Sequence, residues 1–79
     1  MLLSNLQPGK VAVISKVFGS DAVKATLFDL GFFPSCVVKI EKSTKANNVM
    51  ILNVNGVNKC IRGNVAKFIA VSETFSFLQ

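Results

Sequence analysis

The chain has 79 residues, 51% of them hydrophobic, and its nine Lys and Arg against four Asp and Glu give a formal net charge of +5. This length suits one small domain, and no stretch approaches the roughly 20 apolar residues that a membrane-spanning helix needs. Two Cys are too few for a disulfide-rich secreted scaffold, and the N-terminal residues lack the basic and apolar regions of a signal peptide. We therefore expect a cytoplasmic protein with no direct membrane insertion.

The first predicted element is a strand over residues 10–18. A turn precedes it at residues 6–9, Leu-Gln-Pro-Gly, because Pro presets φ and Gly permits unusual backbone angles. The run that follows is rich in β-branched residues and apolar at both phases of the alternation. This pattern predicts a strand that is buried on one face and partly covered on the other.

The second predicted element is a helix over residues 21–30. Ser20 is a favourable N-cap residue, and Asp21 places a negative charge at the positive end of the helix. Gly31 is a favourable C′ residue just beyond the last turn. These signals predict both ends of the helix.

The sides of this helix differ in polarity. Val23, Leu27 and Leu30 share one side, which predicts the stripe that faces the core. Phe28 lies off that stripe and projects with Lys24 on the polar side. We therefore expect the Phe28 ring to be exposed.

The rest of the chain predicts four more short strands. They are residues 36–42, Val49–Val54, Val57–Arg62 and 69–71, with a polar loop at 43–48 and a single helical turn at 65–68. Asn55-Gly56 between two of them is the strongest hairpin signal that a short sequence carries. The predicted fold is mainly β, a small antiparallel barrel of about five strands with one helix inserted after the first strand and a short helical turn before the last.

Several short motifs accompany this order of elements. They are Gln7-Pro8-Gly9, Gly19-Ser20, Leu30-Gly31-Phe32-Phe33-Pro34, Ile61-Arg62, Ala66 and Ile69-Ala70-Val71. Together they resemble the FeoA family of small cytosolic proteins of bacterial ferrous iron transport, over residues 2–72. The resemblance implies an SH3-like barrel, with residues 1–79 forming a single FeoA-like domain.

The resemblance also implies a function. FeoA-like proteins are accessory to the large membrane permease for Fe(II), whose cytosolic part is a GTP-binding domain. Transition-metal binding is implied by the family label only.

Two departures from the family pattern affect the loops. Ser35 stands where the family usually has Gly after the corner Pro, which leaves the type of that turn open. Residues 45–48, Lys-Ala-Asn-Asn, replace a Gly-Asp-Pro-like corner, which puts contacts made by that loop in doubt.

The residue types do not predict a metal, cofactor or catalytic site. There is no His, and Cys36 and Cys60 are the only thiols, whereas transition-metal sites usually take three or four closely spaced ligands. No phosphate-binding Gly loop and no pairing of a nucleophile with a base occur. We expect a non-enzymatic protein whose two Cys are buried or idle.

The candidate partner-binding residues are apolar and basic side chains that a small core does not need. They are Lys24, Phe28, Phe33, Arg62, Phe75 and Phe77. Packing of Phe33 beneath the corner, and of the tail over a barrel edge, are equally good alternatives. Arg62 is the only Arg and suits contact with a GTP-binding partner, with a plain surface charge as its alternative. The tail suits self-association equally well.

Binding of RNA or DNA is the main alternative function. Small barrels often bind RNA, and Lys39, Lys42, Lys45, Lys59 and Arg62 are candidates for one basic sheet face. Base stacking needs aromatic side chains beside such cations, and the Phe residues lie instead at the helix, the corner and the tail. We therefore favour the accessory role, and a self-associating structural module is the third alternative.

Overall fold

The computed structural model describes residues 1–44, 46 and 48–73. Its strands are β1 (Val11–Val17), β2 (Val37–Thr44), β3 (Val49–Val54), β4 (Val57–Arg62) and β5 (Ile69–Glu73). Its helical elements are a 3-10 turn (Leu3–Asn5), α1 (Asp21–Asp29) and α2 (Gly63–Ala66). No helix in this part of the chain is long and apolar enough to span a membrane.

One antiparallel sheet contains the five strands, in the order β4-β3-β2-β1-β5. The first strand pairs with both β2 and β5, which brings the two ends of the described chain together. The other three strands form a meander in which β3 lies between β2 and β4. The predicted fold class is confirmed, because α1 follows the first strand and the short α2 precedes the last.

The turn between β3 and β4 is the predicted hairpin. Val54 pairs with Val57, so only Asn55 and Gly56 lie between the strands. Their φ angles are 52° and 88°, respectively. Positive φ at both central residues characterises the type I′ turn, whose twist matches that of the flanking strands.

The N-terminus of α1 also lies where the sequence predicts it. The hydroxyl oxygen of Ser20 accepts a hydrogen bond from the backbone N–H of Val23 at 3.3 Å. Asp21 occupies the first turn, where its charge complements the helix dipole. An N-cap of this kind stabilises a helix by about 1 kcal/mol.

Only β3 and β4 have both ends where the sequence predicts them, and the other predicted elements differ by one or two residues at one end or both. The second strand continues through Thr44, which pairs with Val49 of β3. The last strand continues to Glu73, which pairs with Ala12 of β1. The short α2 begins at Gly63, earlier than predicted. In the two strands, backbone pairing with the neighbour continues beyond the point where the apolar alternation ends.

The core lies on one face of the sheet and consists of apolar side chains alone. Its buried members are Leu3, Leu6, Ala12, Ile14, Val17, Leu27, Phe32, Val38, Ile40, Met50, Leu52, Val54, Ile61, Ala66, Ile69 and Val71. No polar or charged side chain in the described part of the chain is buried. The hydrophobic effect on this set, about 1.5–3 kcal/mol for each large side chain, therefore dominates the stability of the fold.

The N-terminal segment contributes to this core, which the sequence did not predict. Leu3, the first residue of the 3-10 turn, and Leu6, which follows the turn, are both buried. The carbonyl of Met1 accepts a hydrogen bond from the N–H of Val71 at 2.8 Å. The segment therefore lies along the free edge of β5 and covers backbone groups that would otherwise face solvent.

Two strands contain an irregularity that resets their alternation. In β2 the extra residue Glu41 lies between Ile40 and Lys42, and β1 has an equivalent irregularity at Ser15. An inserted residue of this kind bends the strand and increases its twist. As a result Glu41 and Lys42 are both exposed instead of alternating between core and solvent.

Candidate partner-binding surface

Gly31 follows the C-cap of α1, Leu30, and is the C′ residue that the sequence predicts. Gly31 has a φ of 95°, and its N–H donates a hydrogen bond to the carbonyl of Phe28 at 3.0 Å. The N–H of Phe32 donates to the carbonyl of Leu27, also at 3.0 Å. These two bonds define a Schellman motif, which usually includes an apolar contact between the same two positions. Leu27 and Phe32 are both fully buried and anchor the corner in the core.

A tight turn follows directly and leads into β2. The N–H of Cys36 donates to the carbonyl of Phe33 at 3.1 Å, with Pro34 and Ser35 between them. Ser35 has a φ of 77°, and Pro followed by a residue of positive φ characterises a type II turn. The turn therefore has the backbone geometry that Gly would favour, although Ser occupies the position. It is held against β1, because the N–H of Ser35 donates to the carbonyl of Ile14 at 2.7 Å.

The Schellman motif and the turn bring two aromatic rings together. The rings of Phe28 and Phe33 are stacked, with centroids 5.2 Å apart and an angle of 5° between their planes. Phe33 is 47% exposed, whereas Phe28 is half-buried and packs against the core. We call Phe28 and Phe33 the aromatic corner. The ring of Phe33 faces solvent and rests on the ring of Phe28, which is held in place by the core.

The expectation that Phe28 is exposed was therefore wrong in degree, and so was the predicted core stripe. Leu27 is fully buried, but Leu30, which was expected beside it, is 36% exposed. Lys24 and Phe28, which were expected on the polar side, are both half-buried. Val23, the third residue of the predicted stripe, does pack against the core, as does Phe28. The side of α1 that faces the core is therefore centred on Leu27 and includes Val23 and Phe28, and Leu30 is the member of the predicted stripe that lies outside it. The strands beneath a helix decide its rotation, and the periodicity of so short a helix does not determine it.

The two Cys residues have different surroundings, and both are free thiols. Cys36 is half-buried beside the aromatic corner; its sulfur accepts a hydrogen bond from Nδ2 of Asn55 at 3.4 Å and contacts the carbonyl of Gly31 at 3.7 Å. Cys60 is exposed on β4, opposite Ile51 of β3. Cys36 therefore links the hairpin turn to the corner, whereas Cys60 has no structural role of this kind in the described contacts.

An open apolar groove lies on the other side of α1. Its volume is about 230 Å³, and its lining residues are Ala22, Val23, Thr26, Leu27, Val65 and Phe68. The sequence analysis missed this groove, because its two walls come from α1 and from the region of α2, which are distant in the chain. The only signal was the pair of small residues, Ala22 and Thr26, one turn apart on the helix.

One exposed Phe near this groove was also missed. Phe18 is 39% exposed at the end of β1, and its N–H donates to the carbonyl of Phe68 at 2.7 Å. The ammonium group of Lys16 lies 5.1 Å from the centroid of the Phe18 ring, and that of Lys67 lies 6.0 Å from the centroid of Phe68. Both distances permit cation–π attraction. The surface beside the groove is therefore both aromatic and basic.

The basic residues proposed for a nucleic-acid face do not all share one face. Lys39 and Lys42 on β2 and Arg62 on β4 are exposed on the face of the sheet that points away from the core. Lys59 pairs with a buried residue and is half-buried on the other face. Lys45 lies outside the described residues. None of the residues of β2, β3 and β4 is aromatic.

The predicted partner-binding residues are likewise divided. Phe28, Phe33 and Lys24 lie together at α1 and its C-terminal corner. Arg62 is the last residue of β4, at the end of the strand that lies away from the hairpin turn. With a rise of about 3.3 Å per residue along the strand, Arg62 lies too far from that turn to join them. Phe75 and Phe77 lie outside the described residues.

The potential metal-binding side chains of the described residues lie apart from one another. No three Cys, Asp or Glu side chains form a cluster suited to a metal ion within residues 1–44, 46 and 48–73. The four acids are dispersed: Asp21 and Asp29 lie at the two ends of α1, Glu41 on β2 and Glu73 on β5. What the described surface offers is apolar and aromatic contact area with scattered cations.

A family model and several solved structures assign the chain to the same family. The family model for the FeoA domain matches residues 1–73. FeoA from Chlorobium tepidum is 30% identical, with a TM-score of 0.82, over 92% of this chain and 70% of that one. FeoA from Stenotrophomonas maltophilia, solved with zinc, is 25% identical, with a TM-score of 0.76, over 91% of this chain and 89% of that one. The latter is described as an SH3 domain protein and a candidate activating factor of ferrous iron transport.

The same fold also occurs as part of a larger protein. A manganese-dependent transcriptional repressor superposes with a TM-score of 0.88 over 94% of this chain and 36% of that one. Its identity is 10%, so this likeness concerns the fold alone. Among curated proteins, none is significantly similar to this chain in sequence.

Proposed function

Because the chain belongs to the FeoA domain family, we propose that it is a non-enzymatic accessory protein of bacterial ferrous iron transport. It acts in the cytoplasm by binding the cytosolic GTP-binding region of the Fe(II) permease, and residues 1–79 form a single FeoA-like domain. The family match over residues 1–73 supports the link to iron transport. The description of the Stenotrophomonas maltophilia relative as a candidate transport-activating factor supports an accessory role.

The observation that carries the binding role is the stacked pair Phe28 and Phe33. Residues that dominate protein–protein affinity are typically aromatic, rigidly held and able to become fully desolvated in a pocket of the partner. Phe33 meets these conditions, because it is 47% exposed and rests on a half-buried ring. A rigid support also lowers the entropy lost on binding, since neither ring has to be ordered by the partner.

A basic side chain next to the aromatic corner also suits contact with a protein partner. Lys24 lies one helical turn before Phe28, on the same flank of α1. A cation beside an apolar contact steers an acidic partner surface and contributes to specificity more than to affinity. Because α1 also carries Asp21 and Asp29, the proposed contact is an aromatic anchor with a single neighbouring cation, which suits a mainly apolar pocket.

The experiment that tests this function is co-purification with the detergent-solubilised permease. We expect the wild-type chain to be retained, and retention to persist at high salt and in the presence of competing nucleic acid. Persistence follows from the apolar nature of the contact, whereas binding through phosphates weakens steeply as salt rises. Elution by moderate salt or by nucleic acid would favour the nucleic-acid alternative.

A pair of variants locates the contact. Phe33→Ala should reduce retention by roughly tenfold or more, which corresponds to the loss of one aromatic hot-spot residue. Phe18→Ala is the matched control, because it removes another exposed Phe, from the end of β1. If both variants bind like the wild type, the aromatic corner is not the contact; if the wild type itself is not retained, the permease is not the partner.

A further inference from the structure

The outer face of β2, β3 and β4 has no place in the proposed function. The strand register sets its residues in rows across the sheet: Lys42, Ile51 and Cys60 form one row, and Arg62 pairs with Val49 beside it. Lys39 is exposed further along β2. We call Lys39, Lys42, Ile51, Cys60 and Arg62 the outer basic face. Three cations therefore surround an aliphatic centre on one side of the sheet.

The acids of the protein lie mostly elsewhere. Asp21 and Asp29 belong to α1, and Glu73 on β5 forms an ion pair with Lys10, 3.6 Å between Nζ and the carboxylate oxygen. Glu41 alone is next to the outer basic face, beside Lys42. The net charge of +5 is thus concentrated away from the helix. This asymmetry directs positive potential towards whatever faces the sheet.

The type of side chain that lies among the cations decides which anionic ligand such a face suits. Single-stranded nucleic acid needs aromatic side chains on which bases stack, and β2, β3 and β4 have none. An anionic lipid surface attracts Lys and Arg without any aromatic contact, and each cation near the bilayer raises binding by about fivefold. Ile51, which is 37% exposed at the centre of the face, adds aliphatic area that can lie against the headgroup region.

We propose that the outer basic face binds the anionic surface of a membrane. The contact is peripheral and electrostatic, because the cations lie on a strand surface. The aromatic corner lies on the helical side of the sheet and stays accessible while the outer basic face is occupied. The protein can therefore concentrate at a membrane and still present Phe33 to a protein partner. This inference holds whatever that protein partner is.

The test is co-sedimentation of the full chain with lipid vesicles. One set contains phosphatidylglycerol and phosphatidylcholine in equal parts, and the other contains phosphatidylcholine alone. The variant Lys39→Glu/Lys42→Glu is compared with Lys16→Glu/Lys67→Glu, which changes the net charge equally but alters exposed Lys residues of β1 and of the segment after α2. A third variant, Glu41→Lys, adds positive charge to the face. Thermal melting confirms that each variant is folded.

The expected result is specific to the face. Wild type binds the anionic vesicles and not the neutral ones, and binding declines as salt rises. Lys39→Glu/Lys42→Glu loses roughly tenfold or more in partition coefficient, the control pair loses clearly less, and Glu41→Lys binds more tightly than wild type. The gain in the last variant keeps the test valid even if a loss arises from poor folding.

Three results would overturn the inference. The first is that wild type does not bind anionic vesicles at low salt. The second is that the two double variants lose binding equally, which would show a response to net charge without a defined face. The third is that a single-stranded oligonucleotide binds more tightly than the vesicles and through Lys39 and Lys42, which would identify the face as a nucleic-acid site.

Discussion

The ring of Phe33 lies parallel to the ring of Phe28, with 5.2 Å between their centroids and 5° between their planes. The two residues are separated by the end of α1, where Gly31 in the left-handed region reverses the chain. This reversal places Phe33 back over the last turn of the helix, so the stack depends on one glycine and two backbone hydrogen bonds. An aromatic surface is thus built from local chain geometry and then anchored to the core by Phe32.

The stack should be measurable as a coupling between the two rings. Phe28→Ala should lower the free energy of unfolding by about 1–3 kcal/mol, because its ring packs against the core, and Phe33→Ala by about 1 kcal/mol or less. In a double-mutant cycle the pair should show a coupling of about 0.5–1.5 kcal/mol. Urea denaturation of the four proteins gives these values. The same cycle with Phe18 and Phe28, which form no ring contact in the described set, should be additive, and a coupling there would contradict the assignment.

The rotation of α1 can be tested with two identical substitutions on one helix. Leu27→Ala should lower the free energy of unfolding by about 2–5 kcal/mol, because a buried side chain leaves a cavity, whereas Leu30→Ala should cost about 1 kcal/mol or less. For a domain of this size the first change lowers Tm by at least roughly 8 °C. Thermal unfolding followed by circular dichroism measures both. Equal losses would mean that Leu30 faces the core, as the sequence pattern alone indicates.

Ser35 offers a stabilising substitution. Its φ of 77° costs a side-chain-bearing residue about 1–2 kcal/mol, and Gly avoids this while losing about 0.5–1 kcal/mol through its greater freedom in the unfolded chain. Ser35→Gly should therefore raise the free energy of unfolding by about 0.5–1 kcal/mol. Ser35→Ala is the control and should not stabilise, since Ala keeps the strained φ. A Gly variant no more stable than the Ala variant would show that the turn is not under strain.

The two thiols should differ in reactivity. Cys60 is exposed, whereas Cys36 is half-buried and its sulfur is in contact with Asn55 and the carbonyl of Gly31. A thiol reagent should therefore modify Cys60 on the order of tenfold faster than Cys36 in the folded protein. Mass spectrometry of the labelled chain assigns the site, and labelling in urea should abolish the difference. Equal rates without denaturant would mean that the corner opens readily.

The elements of the fold that depend on local chemistry were predictable from the sequence. Ser20 marks the start of the helix because its side chain accepts a hydrogen bond from a free N–H group, and Gly31 marks the end because its backbone permits positive φ. Asn55-Gly56 forms the hairpin turn because both residues also accept positive φ. The succession of five strands along the chain followed from β-branched runs between such signals, whereas their order in the sheet was not predicted. The corner at Phe33 was also identified as a candidate site, although its stacking partner was assigned to the wrong environment.

Other features depended on contacts between distant parts of the chain. Leu3 and Leu6 enter the core only because the first residues lie beside β5, and the extra residue at Glu41 changes which side chains of β2 face outwards. The groove exists because α2 returns to the flank of α1. No local pattern encodes these relationships.

The amino-acid sequence by itself determined which elements form, their order along the chain, and the positions of the helix N-cap and of the hairpin turn, since capping, turn chemistry and strand preference act over a few neighbouring residues. The tertiary structure alone decided which side of α1 is buried and which side chains meet at the surface. The physical reason is that the rotation of a short helix, and the face that a strand presents after an inserted residue, are set by packing against partners many residues away.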